Sequence, residues 1–577
     1  MLEGYPTLSG ITEQFDRFLQ LNHPEFFGEK AVHPVLSLKS YKVIHDHLWG
    51  TNRFSWRELV LIDSPIFQRL RGIHQTGLAY YVYPSARHSR FEHSLGVATV
   101  ASKVFDALSQ RQLPLLHTIA TAVYPNSDPT DTLSRLRAEM RVAALLHDVG
   151  HSLHSHASER VYSELGLLKK AADELTSFVG KEKGSGEVIS FCLARTKSVA
   201  SLLKRAAAKL INKDATEEFS GDIDLDNVSL LIVGRSKHPL LQFLGDIISG
   251  GFDADKLDYL LRDTAAAGLP LRYDLERYLY TVFLDKDVLA DNEGELHKLY
   301  TSVGTQEKPK DARPPARPYK YFDTYRLRLP KLAMSTIEQM VICKLMLFSY
   351  IYHHQKVRAA EGMLVKLLNG AVAYWQRSGK KDSEILETFL SATDATLDGE
   401  LFLRCKDSAI ARYSYRIANR LIPREVFRLS PSLSHPKEVL VKDFFTLLED
   451  KARRREVIDN LEKDIAENLL KREKQYGKSP QEALWNAGVW VDVPKVPKFE
   501  DMSVLVGGGT AQPGVPISDI FPISQWIQAY ESHRFYVRIY AFSEAFEDVA
   551  QAAREALSAS IGINDESFFK ACLRSRT

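Results

Sequence analysis

Apolar residues recur at three- and four-residue steps along most of this 577-residue chain. That spacing predicts amphipathic α-helices, and it is clearest in SRLRAEMRVAALLH, SVASLLKRAAAKLIN, STIEQMVICKLMLFSYIYHH and EDVAQAAREALSAS. Strand-like runs of β-branched and aromatic residues are few, namely LVLID, YYVYP, WVDVP, MSVLV and FYVRIY. We therefore predict a mainly α fold with short strands.

Breaks in this pattern indicate how the chain is divided. The polar, proline-containing run RLSPSLSHPKEV predicts a boundary near Leu429. Residues 1–428 would form a helical core, and residues 429–577 a smaller α+β C-terminal lobe with a charged helix, short strands and a final helix. A second break around residues 306–318, TQEKPKDARPPARPYK, predicts a surface loop inserted in the core.

The net charge and the cysteine content indicate which binding partners and which cellular compartment to expect. The formal net charge is only +2, which gives no broad basic field for nucleic acid or a membrane surface. The four cysteines lie far apart without a CxxC pair, which favours a reducing compartment and argues against a cysteine-ligated metal. MLEGYPTLSG does not resemble a secretory signal, and MVICKLMLFSYIY is too short to span a bilayer. We expect a cytoplasmic protein.

Three segments rich in histidine and aspartate occur in order at the ends of apolar helices. RHSRFEHSLGV contains His93, RVAALLHDVGHSLHSHASE contains His147 and Asp148, and SGGFDADKLDYLLRDTAAAG contains Asp255. Imidazole nitrogens and carboxylates together suit a divalent cation such as Mn, Fe, Ni, Zn or Mg. Two histidines and two aspartates leave coordination positions open, which is typical of a catalytic site.

The specificity of this pattern depends on its parts occurring together. A single His-Asp dipeptide means little, and the one at residues 45–46 follows a polar loop rather than an apolar helix. On the third segment, Asp255, Asp258, Tyr259 and Arg262 are spaced to form one polar stripe of a helix. Surface salt bridges would explain Asp258 and Arg262, but not the whole set.

Two basic residues lie beside the predicted metal ligands. Arg90 precedes His93 by one helical turn, and its guanidinium could bind a phosphate through two hydrogen bonds. Lys256 follows Asp255 and could contact phosphate oxygens as a point charge. A pocket that combines a divalent cation with these residues would bind a polyanion.

These segments resemble the HD-domain deoxynucleoside triphosphate triphosphohydrolases, the group that contains bacterial dGTPases and the SAM-and-HD-domain dNTPases. The resemblance runs without a gap through LIDSPIFQRLRGIHQTGLAYYVYPSARHSRFEHSLGV, from Leu61 to Val97, and returns in GFDADKLDYLLRD. It is strongest over residues 42–160 and 250–277, and VWVDVP is similar to part of the family's C-terminal lobe. It implies an HD-domain fold for the helical core.

The resemblance implies roles for individual residues. The metal ligands would be His93, His147, Asp148 and Asp255. The triphosphate would contact Arg90, Lys256, Lys344 and His354, and the deoxyribose would contact Gln75, Tyr259, Asp263 and Tyr352. His156 and Glu159 match an in-site histidine and acid. Asp63, Gln68 and Arg71 match positions that bind a guanine activator in tetrameric members, although they could equally serve folding.

Two positions depart from the family pattern. The family's histidine–glutamate motif, one helix after the HD segment, is matched only by KEKGS, with Lys181, or GEVIS, with Gly186. The missing histidine helps to protonate the leaving group, so His151, His154 or His156 would have to replace it. Thr76 stands where many members have a leucine beside the ribose 2′ position, which weakens the expected preference for deoxynucleotides.

The leading hypothesis is a metal-dependent triphosphohydrolase that converts dNTP to a deoxynucleoside and inorganic triphosphate. It would act as a homo-oligomer, be open to activation by a nucleotide, and could serve in defence against phage. One alternative is an HD phosphohydrolase that acts on another nucleotide or a nucleic-acid end. The other is a nucleotide-binding regulatory protein with impaired catalysis, which the missing histidine favours.

Overall fold

Helices form most of the chain and enclose two large hydrophobic cores. The structure is a computed structural model that describes residues 2, 4–28, 41–210, 221–291, 299–300, 320–396, 408–431, 438–472, 474–494, 505–506, 515–523, 525–527, 529 and 536–574. The insertion predicted around residues 306–318 lies outside these residues. Within them, the α-helices are Pro6–Asn22, Pro24–Phe27, Trp56–Ile62, Pro65–Gln68, Arg90–Val123, Pro129–Leu146, His156–Tyr162, Gly166–Val179, Ser185–Ala194, Lys197–Leu210, Leu225–Ile232, Gln242–Ser249, Ala254–Ala267, Leu275–Thr281, Met334–Leu347, Gln355–Arg377, Asp382–Ser391, Ser408–Ala418, Glu438–Leu447, Lys451–Arg472, Pro480–Ala487, Ile517–Ile520, Phe546–Ile561 and Glu566–Cys572.

The strands are short and form small antiparallel sheets. They are β1 (Tyr41–Asp46), β2 (Gly50–Ser55), β3 (Phe283–Asp291), β4 (Lys320–Arg328), β5 (Arg424–Leu429), β6 (Trp490–Asp492), β7 (Leu505–Val506), β8 (Val515–Pro516) and β9 (Val537–Ala541). Strands β1 and β2 form a hairpin, β3 pairs with β4, β7 pairs with β8, and β9 lies between β5 and β6. The mainly α class with an α+β C-terminal region is confirmed.

Two of the predicted strands are wrong. LVLID lies in the helix Trp56–Ile62 and its C-cap. A capping box starts this helix, because Ser55 Oγ accepts the Glu58 N–H at 3.3 Å and Glu58 Oε2 accepts the Ser55 N–H at 2.7 Å. YYVYP forms a short 3₁₀ turn at Ala79–Tyr81 followed by further turns. WVDVP and FYVRIY do contain strands β6 and β9, and β7 covers the last two residues of MSVLV, whose first three lie outside the described residues.

The first core is built around the long helix Arg90–Val123 and its neighbour Pro129–Leu146. The two helices pack side by side and bury small and branched residues such as Val97, Ala101 and Ala144. The long helix bends at Gln112, two residues before Pro114. There the Gln112 amide pairs with the backbone of Leu284 at 2.7 and 3.0 Å, which ties β3 to the bend.

The second core lies in the C-terminal part of the chain. Strands β5, β6 and β9 bury Val426, Val491 and Ile539 against the helices Lys451–Arg472 and Phe546–Ile561. Because β5 begins at Arg424, side chains on both sides of residue 429 enter this core. The boundary near Leu429 therefore stays a prediction.

One helical stretch is apolar enough to be compared with a membrane span. Lys331–Tyr352 reaches a mean hydropathy of 1.3, and 44% of that window is buried within the protein. Ile337, Met340 and Leu347 of this stretch belong to the first core. A core helix passes the same test of length and composition, so this stretch is weak evidence for a membrane.

A buried ionic network joins the two parts. Arg358, on the helix Gln355–Arg377, donates to both oxygens of Asp492 on β6 at 2.5 and 3.1 Å. Arg538 on β9 lies 3.9 Å from Asp492 and 3.2 Å from Glu425. The Asp492 side chain is fully buried, and although burial disfavours its charge, Arg358 lowers the pKa of Asp492.

Replacing Asp492 with asparagine should destabilise the protein by about 3–5 kcal/mol, because the buried arginines would lose their compensating charge. Urea unfolding followed by circular dichroism measures this. Glu164→Gln is the matched control, since Glu164 pairs with Arg455 at an exposed position and should cost less than about 1 kcal/mol. Equal effects from the two substitutions would contradict a role for the network in stability.

Candidate active site

The three histidine- and aspartate-rich segments meet at one place. His93 lies in the first turn of the helix Arg90–Val123, His147 caps the C-terminus of Pro129–Leu146, and Asp255 lies in the first turn of Ala254–Ala267. One ligand atom from each lies within 4.8 Å of the other two. The fold therefore brings together residues that are far apart in the sequence.

Asp148 lies beside this cluster. Its Oδ1 is 3.5 Å from His147 Nε2, and its Oδ2 is 3.7 Å from His93 Nε2. His93 Nε2 is in turn 3.0 Å from Asp255 Oδ1. The Nε2 atoms of both histidines are buried and make no hydrogen bond to any described residue. Two buried imidazole nitrogens therefore face a space that is bordered by carboxylates.

The outer nitrogens of the two histidines are already occupied. His147 Nδ1 lies 2.7 Å from the Ala144 carbonyl, and His93 Nδ1 lies 2.8 Å from Asp258 Oδ2. With the proton on Nδ1 donated outward, each Nε2 would present a lone pair to a bound cation, as metal-bound histidines do. This donor set could hold a divalent cation.

Asp258 is fixed by a buried network that the sequence did not reveal. Arg262 donates to both Asp258 oxygens at 2.7 and 2.9 Å, and the Trp49 indole N–H donates to Oδ1 at 2.5 Å. Arg262 also donates to Asp46 at 2.9 Å. Asp258 and Arg262 are fully buried, so their interpretation as surface salt bridges is wrong. The His-Asp dipeptide at residues 45–46 therefore contributes to the site, because its Asp46 binds Arg262.

A glycine permits this network. A Cβ at Gly96 would lie 2.0 Å from Asp258 Oδ1 and 2.4 Å from Arg262 Nη2. Because those distances are far below van der Waals contact, only glycine allows the two helices to approach this closely. Position 96 is therefore glycine because the Asp258–Arg262 ion pair lies directly against its backbone.

The pocket strongly attracts positive charge. Burial opposes a charge on His93, yet the adjacent carboxylates of Asp255 and Asp258 raise the pKa of His93 to about 10. Burial also opposes a charge on Asp148, but the Arg90 guanidinium holds the pKa of Asp148 well below its usual value. Such a field suits a bound cation.

Arg90 lies inside the site and is 2% exposed. It donates to Asp148 Oδ2 at 2.5 Å and to Ser155 Oγ at 2.9 Å, and its buried Nη2 atom makes no hydrogen bond within the described part of the chain. The structure thus places Arg90 against a predicted metal ligand, with one nitrogen still available for an anion. Its contact with phosphate stays a prediction.

The partner of Arg90 lies in a strained turn. His154 and Ser155 have φ values of 49° and 57°, which non-glycine residues rarely adopt. Asp394 accepts the His154 N–H at 2.5 Å and the His74 N–H at 2.9 Å, and Ser155 Oγ donates to the His74 carbonyl at 2.6 Å. No sequence motif marks Asp394, which lies 240 residues from His154 along the chain.

The predicted proton-transfer residues form a second group next to the first. His151, His156 and Glu159 also have ligand atoms within 4.8 Å of one another. His151 Nε2 lies 3.4 Å from Asp148 Oδ1, which joins the two groups. Gly186 packs on the His151 ring, where a Cβ would lie 2.8 Å from Cε1. Gly186 therefore contacts the His151 ring, but it cannot supply the imidazole of the missing family histidine.

The residues predicted for the sugar lie on the same helix and its neighbour. Asp263 accepts from His88 Nε2 at 2.7 Å and from the Tyr352 hydroxyl. Tyr259 is half-buried one turn before Asp263, and the Oε1 atom of the half-buried Gln75 has no hydrogen-bond partner among the described residues. Tyr352 ends a π-helical turn, Phe348–Tyr352, that follows the helix Met334–Leu347.

Other predicted residues are engaged elsewhere in the described structure. Lys256 donates to Asp253 at 2.7 Å and to the Gly250 carbonyl at 2.8 Å. His354 caps the next helix by accepting the Lys356 N–H at 3.2 Å. Lys344 is half-buried on the helix Met334–Leu347. Their phosphate contacts stay predictions.

The predicted activator residues lie near the start of the long helix. Gln68 donates to the Ile62 carbonyl at 2.7 Å and accepts from Arg71 Nε at 2.8 Å. The Arg71 guanidinium stacks on the Phe91 ring at 3.5 Å. Asp63 is the C-cap of the helix Trp56–Ile62. This patch is therefore adjacent to the turn that carries Arg90.

Replacing Asp258 with asparagine should weaken divalent metal binding by about 10–100-fold, because His93 would lose the carboxylate that orients it. Titration of chelator-stripped protein with Mn²⁺ measures the affinity. Glu276→Gln, at an exposed position, is the control and should bind as the wild type does. Unchanged affinity in a folded Asp258→Asn variant would contradict the positioning role of Asp258.

Comparison with known proteins agrees with this geometry. Residues 90–213 match the HD domain family, and residues 320–566 match the HD associated region. A deoxynucleoside triphosphate triphosphohydrolase SAMHD1 homolog from Dictyostelium discoideum is 29% identical over 47% of this chain and 45% of its own length. SAMHD1 of Bos taurus is 32% identical over 41% of this chain and 38% of its own length. The match thus spans less than half the length of these relatives.

Two further similarities extend over most of the chain. An uncharacterized protein of Methanocaldococcus jannaschii is 24% identical over 88% of this chain and 81% of its own length. The crystal structure of a hypothetical protein from Aquifex aeolicus covers 90% of this chain and 100% of its own, with a TM-score of 0.55 and 21% identity, and so shares the fold. This chain therefore carries an HD domain followed by an HD associated region, and over less than half of its length it is similar to the SAMHD1 deoxynucleoside triphosphate triphosphohydrolases.

Proposed function

We propose that this protein is a metal-dependent phosphohydrolase that converts deoxynucleoside triphosphates to deoxynucleosides and inorganic triphosphate. The observation that carries the proposal is the convergence of two buried, unbonded imidazole nitrogens with the carboxylates of Asp148 and Asp255. The HD domain and the SAMHD1 relatives support a phosphohydrolase. The triphosphate substrate is our finer inference.

His93, His147, Asp148 and Asp255 would hold the divalent cation, which supplies charge neutralisation of the phosphate and a water of lowered pKa. Mn, Mg, Fe, Ni and Zn all suit these donors. Arg90 has one buried nitrogen free, and it would donate this nitrogen to a phosphate oxygen. Lys256 would exchange its contact with Asp253 for a phosphate oxygen.

A sugar pocket next to these residues supports a nucleotide rather than inorganic polyphosphate. Asp263 is held by His88 and Tyr352, and its carboxylate would accept a hydrogen bond from a sugar hydroxyl. Tyr259 and Tyr352 would pack against the ring. The Gln75 carbonyl oxygen, which lacks a partner, would accept a further hydrogen bond.

The leaving deoxynucleoside needs a proton. His156 Nδ1 lies 3.0 Å from Glu159 Oε2 and its side chain is 76% exposed, so His156 can exchange protons with solvent and deliver one through its other nitrogen. Burial and the nearby Arg90 lower the pKa of His151 to about 3, so the His151 ring is neutral near pH 7 and holds no imidazolium proton to donate. His156 is therefore our candidate for the general acid.

We also propose that a nucleotide regulates the activity. A nucleotide bound by Asp63, Gln68 and Arg71 would contact Phe91 through Arg71, and Phe91 neighbours Arg90. Binding there would influence the first turn of the helix that carries His93. From the resemblance described in the sequence analysis, we also propose that the protein forms a homo-oligomer.

We expect purified protein with Mn²⁺ or Mg²⁺ to release triphosphate from a dNTP, with or without GTP as activator. His147→Ala should lower the rate by at least about 100-fold, because a metal ligand is lost. His45→Ala is the matched control, since His45 begins the other His-Asp dipeptide and is exposed. Ion-exchange chromatography separates the products, and ribonucleotides assayed in parallel measure sugar selectivity.

Release of monophosphate or single phosphates would overturn the triphosphohydrolase proposal in favour of another HD phosphohydrolase. Nucleotide binding without turnover, under every metal and activator condition, would favour a regulatory protein.

A further inference from the structure

We propose that Asp394 is a positioning residue of the active site, which directs the Arg90 guanidinium toward a bound phosphate through the strained turn that contains Ser155. This inference rests on the proposed function, because it assigns a further residue to the same reaction. Asp394 lies in the part of the chain that matches the HD associated region, whereas Arg90 and the turn lie in the part that matches the HD domain. The associated region would then complete the anion-binding side of the HD site.

The Asp394 carboxylate joins two segments of the site. Its Oδ1 accepts the His154 N–H at 2.5 Å, and its Oδ2 accepts the His74 N–H at 2.9 Å. The His74 ring adds a third contact, with Nδ1 at 2.5 Å from Oδ2. The Asp394 side chain is 8% exposed. Although burial opposes its charge, His154 and the hydrogen bonds from His74 lower the pKa of Asp394. A charged carboxylate makes strong hydrogen bonds and therefore fixes the donors around it.

The turn needs this support because its backbone is strained. His154 and Ser155 have φ values of 49° and 57°, in a region that residues with side chains keep only where surrounding contacts impose it. The hydrogen bond from the His154 N–H to Asp394 is one such contact. Ser152 provides another, since its hydroxyl donates to the Phe389 carbonyl at 2.6 Å and its own carbonyl accepts the Ser155 N–H at 3.0 Å. Without the carboxylate, the turn would relax and the Ser155 side chain would move.

The Ser155 hydroxyl links the position of the turn to Arg90. It donates to the His74 carbonyl at 2.6 Å and accepts the Arg90 Nε–H at 2.9 Å. Arg90 Nη1 donates to Asp148 Oδ2 at 2.5 Å. Because a guanidinium is planar, contacts at Nε and Nη1 fix its plane and the direction of the remaining nitrogen, Nη2. This buried nitrogen makes no hydrogen bond among the described residues, and it is the one that we propose meets a phosphate oxygen.

Asp394 is itself held in place relative to the turn. Its N–H donates to the Gly72 carbonyl at 2.8 Å. Arg69 Nη1 donates to the Ala392 carbonyl at 3.1 Å, and Arg69 Nη2 donates to the Val149 carbonyl at 2.7 Å. Arg69 therefore bridges the segment that carries Asp394 to the loop that leads into the turn. A carboxylate anchored in this way can set the geometry of the turn, as a positioning residue must.

The test measures both the binding of inorganic triphosphate and the release of triphosphate from a dNTP, with Mn²⁺-loaded full-length protein. Asp394→Asn should weaken the binding, followed by calorimetry, and lower kcat/KM, each by about 10–100-fold, because one N–H of the turn or of residue 74 loses its acceptor. Ser155→Ala, which leaves the carboxylate in place, should give similar losses. Asp106→Asn is the matched control, since Asp106 pairs with Arg137 at a half-exposed position, and it should behave as the wild type does.

A double-mutant cycle separates positioning from a general loss of stability. If Asp394 acts through Arg90, Asp394→Asn should have little further effect in an Arg90→Lys background, because the interaction that it positions is already lost. Equal losses in the two backgrounds, or no loss in the single variant, would overturn the positioning role. Bound Mn²⁺, counted in each variant by inductively coupled plasma mass spectrometry, shows that the variant is folded.

The two measurements also distinguish this inference from the proposed function. If the wild type binds triphosphate more tightly than Asp394→Asn and Ser155→Ala but hydrolyses no dNTP, the proposed function fails and the positioning of Arg90 stands. If the wild type hydrolyses dNTP and both variants keep its kcat/KM, the positioning role fails and the function stands. A wild-type protein that neither binds triphosphate nor hydrolyses dNTP would overturn both.

Discussion

The contact between His93 and the Asp258 carboxylate is the interaction on which the rest of the site depends. Asp258 is fully buried, and it stays charged because Arg262 and the Trp49 indole donate to it. Burial opposes that charge, but Arg262 lowers the pKa of Asp258. A buried carboxylate of this kind is stable only while its partners remain in place. The metal-ligand geometry at His93 is therefore inseparable from the packing of the helix Ala254–Ala267 on the long helix.

The sequence was sufficient to predict that His93, His147 and Asp255 come together, while their role as metal ligands stays a prediction. Histidine and aspartate at the ends of apolar helices carry a local signal, and a mainly helical fold brings such ends together. The residues that support the predicted ligands carry no such signal. Asp46 and Asp394 are identified only by their contacts in the structure, with Arg262 and with the His154 backbone. The strand predicted at LVLID could have been avoided, because Ser55 and Glu58 have the spacing of a capping box that starts a helix.

Gly186, one of the two candidate positions for the missing family histidine, has a structural role. Gly186 supports the site with its backbone, since its N–H binds Glu159 and its missing side chain leaves room for the His151 ring. Gly150 works in the same way, because a Cβ there would lie 2.1 Å from the Gly186 carbonyl oxygen. Close backbone contact at Gly150 and Gly186 takes the space that a side chain at either position would need.

The strained turn at His154 and Ser155 has a consequence for how such a site can be inherited. Asp394 stabilises this turn from 240 residues away along the chain, and Asp258 supports His93 from 165 residues away. Residues 90–213, which match the HD domain, contain neither aspartate. A gene fragment encoding only that segment would transfer the motif without the working geometry. Recombination can therefore shuffle this site between proteins only as one nearly complete helical core.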